Sequence, residues 1–295
     1  TGTATFNGTQ NYTGNFSFTG AALSVNNGLI ASGTVTITNS GLFTKNATST
    51  ITATNGFTQN GVGLNSIGAN ISTTNTNLSF ATGITLTQNV TFSTGLGAGD
   101  ITVSSTVNPA AVSTQGLTLL AEGGNISVTG PVGNTLRLGA LGVSSAGNAT
   151  FTNGVTATSF TQAAGTGTTT FNGTQDYTGA FSFTGVALTV NNGLTASGTA
   201  TVTNSGLFTT NATGVITATS GFTQNGAGAN SIGANISTTN TNLSFATGIT
   251  LTQSVTFSTG PGAGDITLSS TVNPAVASTQ GLTLLAGSGN ISVTG

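Results

Sequence analysis

The sequence contains no histidine, cysteine, methionine or tryptophan, and only two basic and four acidic side chains among 295 residues. Without histidine and cysteine, the usual general base and thiol nucleophile are missing, and no disulfide scaffold is available. Two basic side chains cannot neutralise a run of phosphates, so the composition argues against nucleic acid as a partner. No apolar run approaches the roughly 20 residues that a membrane-spanning helix needs, so no membrane insertion is predicted.

What the chain has in abundance is threonine, its most frequent residue type, together with glycine, of which there are 45. Threonine favours pleated, half-buried surfaces, whereas glycine and asparagine favour turns. With 36% hydrophobic residues and only four prolines, the chain does not have the composition of a disordered segment. No long stretch places apolar residues three and four apart as a helix requires. The sequence therefore predicts an ordered all-β chain.

Short stretches of alternating apolar and polar residues end in small turn residues throughout the chain, as in "FSFTG", "TVTITNSG" and "VTFSTG". This period of two indicates strands with one buried face. Turn signals recur about every 8–12 residues, which is typical of a sandwich, a barrel or a solenoid.

The chain also repeats itself at long range, since Phe6 corresponds to Phe171 and Asn125 to Asn290. Residues 1–130 align with residues 166–295 without insertion, and 21 positions differ, so 109 of 130 are identical. Residues 131–165 occur once and complete the period. We therefore predict one repeat unit over 1–165 and a second, incomplete unit over 166–295, joined as a continuous rod without a linker.

A long tandem repeat of short strands favours a parallel β-solenoid, in which each coil buries its apolar face against the next. With coils of about 20 residues, one 165-residue unit would hold about eight coils. The alternative is a series of β-sandwich domains with antiparallel strands. Residues 65–88 return unaltered at 230–253, and because they contain no charged residue, this identity indicates a copied structural unit.

The few acidic residues are the natural candidates for a catalytic or metal site. Asp100, Glu122, Asp176 and Asp265 are scattered, and only Asp100 and Asp265 occupy equivalent positions, so we predict no catalytic residue, no cofactor and no enzyme activity. The stretch Gly95–Val103 resembles a glycine-rich calcium nonapeptide, but two of its glycines are replaced. We therefore predict no metal site there, and a glycine turn in which Asp100 accepts backbone N–H groups before a strand.

Two other features suggest surfaces or packing. Equivalent Tyr12 and Tyr177 are expected to pack inside a coil. Threonines separated by one apolar residue suggest the flat arrays of ice-binding solenoids; they occur at 34–36, 50–52, 85–87 and 250–252.

The stretch "GDITVSSTVN…GLTLLAEGGNISVTGPVGN…LRLGALGVSSAGNATFTNG" (Gly99 to Gly154) resembles the repeat regions of very large bacterial surface proteins. These are the filamentous-haemagglutinin-like and autotransporter-like adhesins, and the resemblance extends in style over the whole chain. It implies a right-handed parallel β-helix, secretion across an outer membrane, and a role as an adhesin, a stalk or a matrix fibre.

From these features we expect a structural segment of a giant secreted repeat protein, which forms a stiff rod or fibre outside the cell or at its surface. Its partners would be further copies of its own repeat along the chain and identical rods packed alongside. The main alternative is an adhesin module that binds a protein or glycan of a host or neighbouring cell. Ice binding is a minor alternative. No individual binding residue is assigned.

Overall fold

The structure, a computed structural model, describes residues 2–295, and these form 39 short β-strands and no helix. The chain divides into two compact units, one ending at Ala157 and the other running from Thr158 to Gly295. The division falls inside β21 (Val155–Gln162), slightly before the end of the first sequence repeat.

Unit 1 is built from three parallel sheets, and the chain visits them in turn. The first sheet contains β1 (Thr3–Phe6), β4 (Ala22–Val25), β7 (Phe43–Lys45), β10 (Asn65–Ile67), β13 (Ile84–Leu86) and β16 (Val107–Pro109). The second contains β2 (Gln10–Tyr12), β5 (Leu29–Ala31), β8 (Ile51–Ala53), β11 (Ile71–Thr73), β14 (Val90–Ser93), β17 (Leu117–Leu120) and β19 (Leu138–Ser145). The third contains β3 (Phe16–Gly20), β6 (Val35–Asn39), β9 (Phe57–Gln59), β12 (Leu78–Phe80), β15 (Ile101–Val103), β18 (Ile126–Val128) and β20 (Ala149–Phe151).

Unit 2 has the same three-sheet plan. Its first sheet contains β22 (Thr168–Phe171), β25 (Ala187–Val190), β28 (Phe208–Thr210), β31 (Asn230–Ile232), β34 (Ile249–Leu251) and β37 (Val272–Pro274). Its second contains β23 (Gln175–Tyr177), β26 (Leu194–Ala196), β29 (Ile216–Ala218), β32 (Ile236–Thr238), β35 (Val255–Ser258) and β38 (Leu282–Leu285). Its third contains the end of β21 followed by β24 (Phe181–Gly185), β27 (Ala200–Asn204), β30 (Phe222–Gln224), β33 (Leu243–Phe245), β36 (Ile266–Leu268) and β39 (Ile291–Val293).

The strand pairing shows a parallel β-solenoid, as the sequence predicts. In the first sheet of unit 1, each residue of the following series pairs with the next one, which lies one coil further along the chain: Ala4, Leu23, Phe43, Asn65, Ile84, Val107 and Val132. One coil therefore contains three strands, and the coil is the structural period; the much longer sequence repeat is not. The antiparallel β-sandwich alternative is wrong, because these pairings are parallel.

The interior of each unit is a narrow column of apolar side chains. Most strands have three residues, of which the first and third point inward and the second points outward. Inward phenylalanines stack from coil to coil: the ring centroids of Phe57 and Phe80 are 5.1 Å apart, and those of Phe80 and Phe92 are 5.2 Å apart. Such ring pairs add about 0.5–1.5 kcal/mol each beyond the burial of their area.

Candidate binding surfaces

The outward strand positions carry uncharged hydroxyl groups in register. The outward residues paired in register along the third sheet of unit 1 are Ser17, Thr36, Thr58, Ser79, Thr102, Ser127 and Thr150. In unit 2 they are Thr161, Ser182, Thr201, Thr223, Ser244, Thr267 and Ser292. We call these the hydroxyl rows. Because neighbouring rungs in a sheet lie about 4.8 Å apart, a row of like charges would repel, whereas hydroxyls hydrogen-bond or face water.

The threonine pairs singled out in the sequence do not share one face. In unit 1, residues 34–36 lie at β6 of the third sheet, residues 50–52 at β8 of the second, and residues 85–87 at β13 of the first. The pair at 250–252 lies at β34 in the first sheet of unit 2. These stretches therefore do not assemble into one double-ranked array.

A shallow polar groove recurs in both copies of the repeat, and we call it the Thr/Asn groove. In unit 1 it has a volume of about 410 Å³ and is lined by Thr34, Thr36, Asn55, Gly56, Thr58, Asn75, Thr76 and Asn77. In unit 2 it has a volume of about 400 Å³ and is lined by Thr199, Thr201, Ser220, Gly221, Thr223, Asn240, Thr241 and Asn242. Its lining offers hydroxyls and amides but no charge and no aromatic ring.

Backbone conformation helps to shape this groove. Asn75 and Asn240 adopt φ values of 57° and 56°, in the left-handed region that asparagine tolerates better than most residues. Gly56 has a φ of 121°, which favours glycine there. The groove is not visible in the sequence, because its residues come from three successive coils. The run "TNTN", present in both copies, is the one local signal of a turn.

A ladder of side chains occupies the corner that leads into the third sheet of unit 1. Asn77 Oδ1 accepts the Asp100 backbone N–H at 2.9 Å, and Asp100 Oδ1 accepts the Asn125 backbone N–H at 2.7 Å. Asn125 Oδ1 in turn accepts the Asn148 N–H at 3.1 Å. Asp100 thus has the backbone-capping role that the sequence predicts for it. In unit 2, Asp265 Oδ1 accepts the Asn290 N–H at 2.7 Å.

A buried polar network lies at the corner that leaves the third sheet. Gln59 Nε2 donates to Asn39 Oδ1 at 2.8 Å and to Gly61 O at 2.9 Å, while Gln59 Oε1 accepts from Asn65 Nδ2 at 3.3 Å. Asn39, Gln59 and Asn65 are each only 1% exposed. Among the described residues, Asn65 Oδ1 is buried without a hydrogen-bond partner.

Unit 2 reproduces this network almost unchanged. Gln224 Nε2 donates to Asn204 Oδ1 at 2.8 Å, and Asn230 Nδ2 donates to Gln224 Oε1 at 3.4 Å. These polar residues stand at inward strand positions, where the alternation predicts an apolar residue. A polar residue at such a position is therefore the one sequence signal of the network.

Lys45 is the one lysine of the chain, and its side chain points inward. It lies in β7 between Val25 and Ile67 in register, and its Nζ donates to the Asn46 carbonyl at 2.7 Å. Burial lowers the pKa of the Lys45 ammonium to about 8. At the equivalent position Thr210 accepts the Gly233 N–H with its hydroxyl at 3.1 Å. An ammonium in this position is therefore not needed for a coil to form.

The two tyrosines illustrate packing in different surroundings. Tyr177 is fully buried against Phe181, at a centroid distance of 5.8 Å, which confirms the predicted packing role. Its hydroxyl donates to Gln175 Oε1 at 2.8 Å, and burial together with the charge of Asp176 raises the pKa of Tyr177. Tyr12 is half-buried and packs on Phe16 at 5.2 Å.

The other acidic residues are placed apart on the coils. Glu122 occupies a turn with a φ of 46°, and Asp176 lies at the outward middle position of β23. Within residues 2–295, no group of three or more His, Cys, Asp or Glu side chains gathers as a metal-ligand set. The same residues include no helix with the length and apolar character of a membrane span.

These features define the chain as a threonine-rich parallel β-solenoid with hydroxyl rows on its faces. No family model matches it, and neither a curated protein nor a solved structure matches it.

Proposed function

We propose that this chain is a structural segment of a giant secreted repeat protein, and that it forms part of a stiff rod or fibre outside the cell or at its surface. The observation that carries the proposal is that three strands per coil repeat with the same inward and outward positions. Within each unit, successive coils are held together by backbone hydrogen bonds on all three sheets. Such stacking resists bending and offers few open loops to a protease.

The pattern of sequence identity supports a structural role. Residues 65–88, unchanged at 230–253, form β10 to β13 and contribute inward Asn65, Ile71, Leu78 and Ile84. The segment that the two copies share letter for letter therefore includes core residues and Asn65 of the buried network, together with Asn75, Thr76 and Asn77 of the Thr/Asn groove.

The uncharged faces support side-by-side packing of identical rods. Six charged side chains in 295 residues give little electrostatic repulsion between neighbouring rods. The hydroxyl rows could then meet across such a contact. The family resemblance of Gly99–Gly154 agrees with this location and with secretion across an outer membrane.

Cryo-electron tomography of the cells that produce the protein tests the proposal directly. An antibody raised against residues 1–165 should label filaments or a matrix outside the cell. Label confined to the cell interior would contradict the proposal, and so would label on isolated globular particles.

An adhesin module that binds glycans is the second candidate, because the Thr/Asn groove is duplicated. Hydroxyls and amides in a shallow groove are suitable partners for sugar hydroxyls. Glycan-array binding by the whole chain should fall when Thr58 and Thr223 are both replaced by valine, which keeps the shape and β-propensity. Replacing Thr102 and Thr267, which lie outside the groove lining, is the matched control. An array without a positive glycan would reject this candidate.

Ice binding has weaker support. It requires one flat face with paired rows, and the four threonine pairs named above are distributed over several sheets. Measurement of thermal hysteresis on the purified chain would test it directly.

A further inference from the structure

Eight asparagines of the chain are followed directly by glycine: Asn7, Asn27, Asn55, Asn60, Asn153, Asn172, Asn192 and Asn225. In such a pair the glycine nitrogen reaches the side-chain amide of the asparagine readily, because glycine carries no Cβ that blocks the approach. The structure separates the eight pairs by the contacts that these two groups make.

Two pairs hold the two groups against each other. Asn27–Gly28 lies between β4 and β5, and Asn192–Gly193 lies at the equivalent corner between β25 and β26. In each pair the glycine N–H donates to the Oδ1 of the asparagine before it, at 2.9 Å. Because Oδ1 is bonded to Cγ, this hydrogen bond keeps the glycine nitrogen beside the side-chain carbonyl carbon. Both asparagines are half-buried, so water reaches them.

The glycine amides at this corner take no part in the hydrogen bonds between coils. Within residues 2–295, neither the Gly28 N–H nor the Gly193 N–H donates to the backbone of a neighbouring coil. Their carbonyls do, since Gly28 O accepts the Gln10 N–H at 2.9 Å and Gly193 O accepts the Gln175 N–H at 2.7 Å. A reaction that removes the glycine N–H therefore breaks no backbone hydrogen bond between coils.

The pairs that begin at Asn60 and Asn225 are arranged differently, although they too occupy equivalent positions. Asn60 Oδ1 accepts the Thr38 hydroxyl at 2.6 Å, and Asn225 Oδ1 accepts the Thr203 hydroxyl at 2.6 Å. The threonine belongs to the preceding coil in both cases. The side-chain carbonyl is thus held by a neighbouring coil and not by the glycine that follows.

The four remaining pairs are also held by other contacts. Asn7 Oδ1 and Asn172 Oδ1 each accept from a side-chain amide of the next coil, at 2.7 and 2.6 Å. Asn153 Nδ2 donates to a backbone carbonyl of the preceding coil at 2.6 Å. In the last pair the Gly56 N–H donates to a carbonyl of its own turn at 3.2 Å.

We propose that Asn27 and Asn192 are sites of intramolecular deamidation. The glycine nitrogen attacks Cγ, and the new N–Cγ bond closes a succinimide ring. The Cγ–Nδ2 bond then breaks, and Nδ2 leaves as ammonia with the proton that the glycine nitrogen loses. Water adds to one of the two ring carbonyls and reopens the ring, which gives aspartate or isoaspartate. Water is the one co-reactant that these steps require.

This inference goes beyond the proposed function, because it assigns a covalent modification to the chain. Each reaction adds one negative charge to a chain whose formal net charge is −2. The isoaspartate product also lengthens the backbone by one carbon just before β5 or β26. In a rod of many repeats, one new charge per repeat would oppose the side-by-side packing of nearly uncharged faces.

Mass spectrometry of the folded 295-residue chain after incubation in mildly alkaline buffer tests the proposal. Fragmentation that distinguishes isoaspartate from aspartate assigns the product at each Asn-Gly pair. We expect Asn27 and Asn192 to react at least about tenfold faster than Asn60 and Asn225, because their reacting groups are already in contact. In denaturant the four rates should converge, since each asparagine then has the same neighbour and no coil to hold it.

Two variants sharpen this comparison. Thr38→Val removes the hydroxyl that holds Asn60 Oδ1, so it should accelerate the reaction at Asn60 and leave Asn27 unchanged. Asn27→Gln should abolish the modification at position 27, because the longer side chain would need a larger ring. The reaction at Asn192 should stay fast in both variants, which shows that each is folded.

Equal rates at the four asparagines of the folded chain would overturn the proposal, as would a faster reaction at Asn60 than at Asn27. It would also be overturned if the folded chain showed no reaction at Asn27 and Asn192 over the time in which the unfolded chain reacts. Aspartate formed without isoaspartate would reject the succinimide, because direct hydrolysis of the amide gives aspartate alone.

Discussion

The two copies of the repeat, residues 1–130 and 166–295, differ in ways that follow the position of each residue in the coil. Three inward differences stay apolar: Val35 corresponds to Ala200, Ile37 to Val202 and Val103 to Leu268, and all six are buried. Ala4 is an exception, because its counterpart is the buried Thr169. The comparison teaches that the fold requires a filled interior but tolerates the loss of one or two methyl groups from a buried side chain.

At two turn or corner positions where the two copies differ, both residues adopt the same backbone conformation or accept a hydrogen bond from the backbone of the next coil. Glu122 and Gly287 both adopt left-handed backbone conformations, with φ values of 46° and 57°. Asn89 and Ser254 both place a side-chain oxygen on a backbone N–H of the next coil. The equivalent inward residues Lys45 and Thr210 are neither apolar nor at a turn: the first copy buries an amine at this position and the second copy buries a hydroxyl.

The largest effect is expected where the two copies are identical and the side chain is buried. Phe57→Ala and Phe222→Ala should each destabilise by about 3–5 kcal/mol, because each removes a ring from a stacked column and leaves a cavity. Urea unfolding followed by far-ultraviolet circular dichroism measures the loss. Leu96→Ala is the control and should change stability by less than about 0.5 kcal/mol, since Leu96 is 86% exposed. Clearly unequal losses for the two phenylalanines would show that the copies are packed differently.

The buried network should come next. Gln59→Leu removes the donor to Asn39 Oδ1 and Gly61 O, so two buried acceptors lose a hydrogen bond. We expect a loss of about 1–3 kcal/mol, and a similar loss for Gln224→Leu. Gln88→Leu, at an exposed position, is the matched control. Unchanged urea midpoints for both network variants would show that the network contributes no net stability.

Lys45 allows a residue to be exchanged between the copies. Its folded pKa of about 8 lies below its usual 10.5, so the unfolded chain binds more protons between these values. The cost of burying the charge is therefore fully present below pH 8, and stability rises as the pH increases from 8 to 10.5.

Lys45→Thr should remove this rise and increase stability at pH 7 by about 1–2 kcal/mol. Unfolding free energies measured from neutral pH up to the usual lysine pKa of 10.5 test both effects. The reverse change, Thr210→Lys, should introduce a similar pH dependence in the second copy. If the unfolding free energy of Lys45→Thr rose with pH as steeply as that of the native chain, the titrating group would be a residue other than Lys45.

The sequence was sufficient to predict an all-β parallel solenoid with coils of about 20 residues, because alternation and turn spacing are local signals. It also predicted the capping role of Asp100, since an aspartate before a strand has one common use. It did not predict that each coil contains three strands.

The break in apolar alternation at Asn39, Gln59 and Asn65 marks polar residues at inward positions, but their hydrogen bonds could not be predicted. Those bonds, like the Thr/Asn groove, join residues of successive coils whose register depends on unequal coil lengths. From the sequence, Lys45 is recognisable only as a charged residue. Its pairing in register with the inward Val25 is what shows that its side chain is buried.

The smallest effect is expected at the corner that leads into the second sheet, where Asn89 of the first copy corresponds to Ser254 of the second. Asn89 Oδ1 accepts the Gly116 N–H at 2.8 Å, and Ser254 Oγ accepts the Gly281 N–H at 3.0 Å. Asn89→Ser should therefore change stability by less than about 0.5 kcal/mol, whereas Asn89→Ala, which removes the acceptor, should cost about 0.5–1.5 kcal/mol. Exchange of the Gly116 amide should be faster only in the alanine variant. If Asn89→Ser and Asn89→Ala destabilised the chain equally, an oxygen that accepts the Gly116 N–H would not be sufficient at position 89, and the whole asparagine amide would be required.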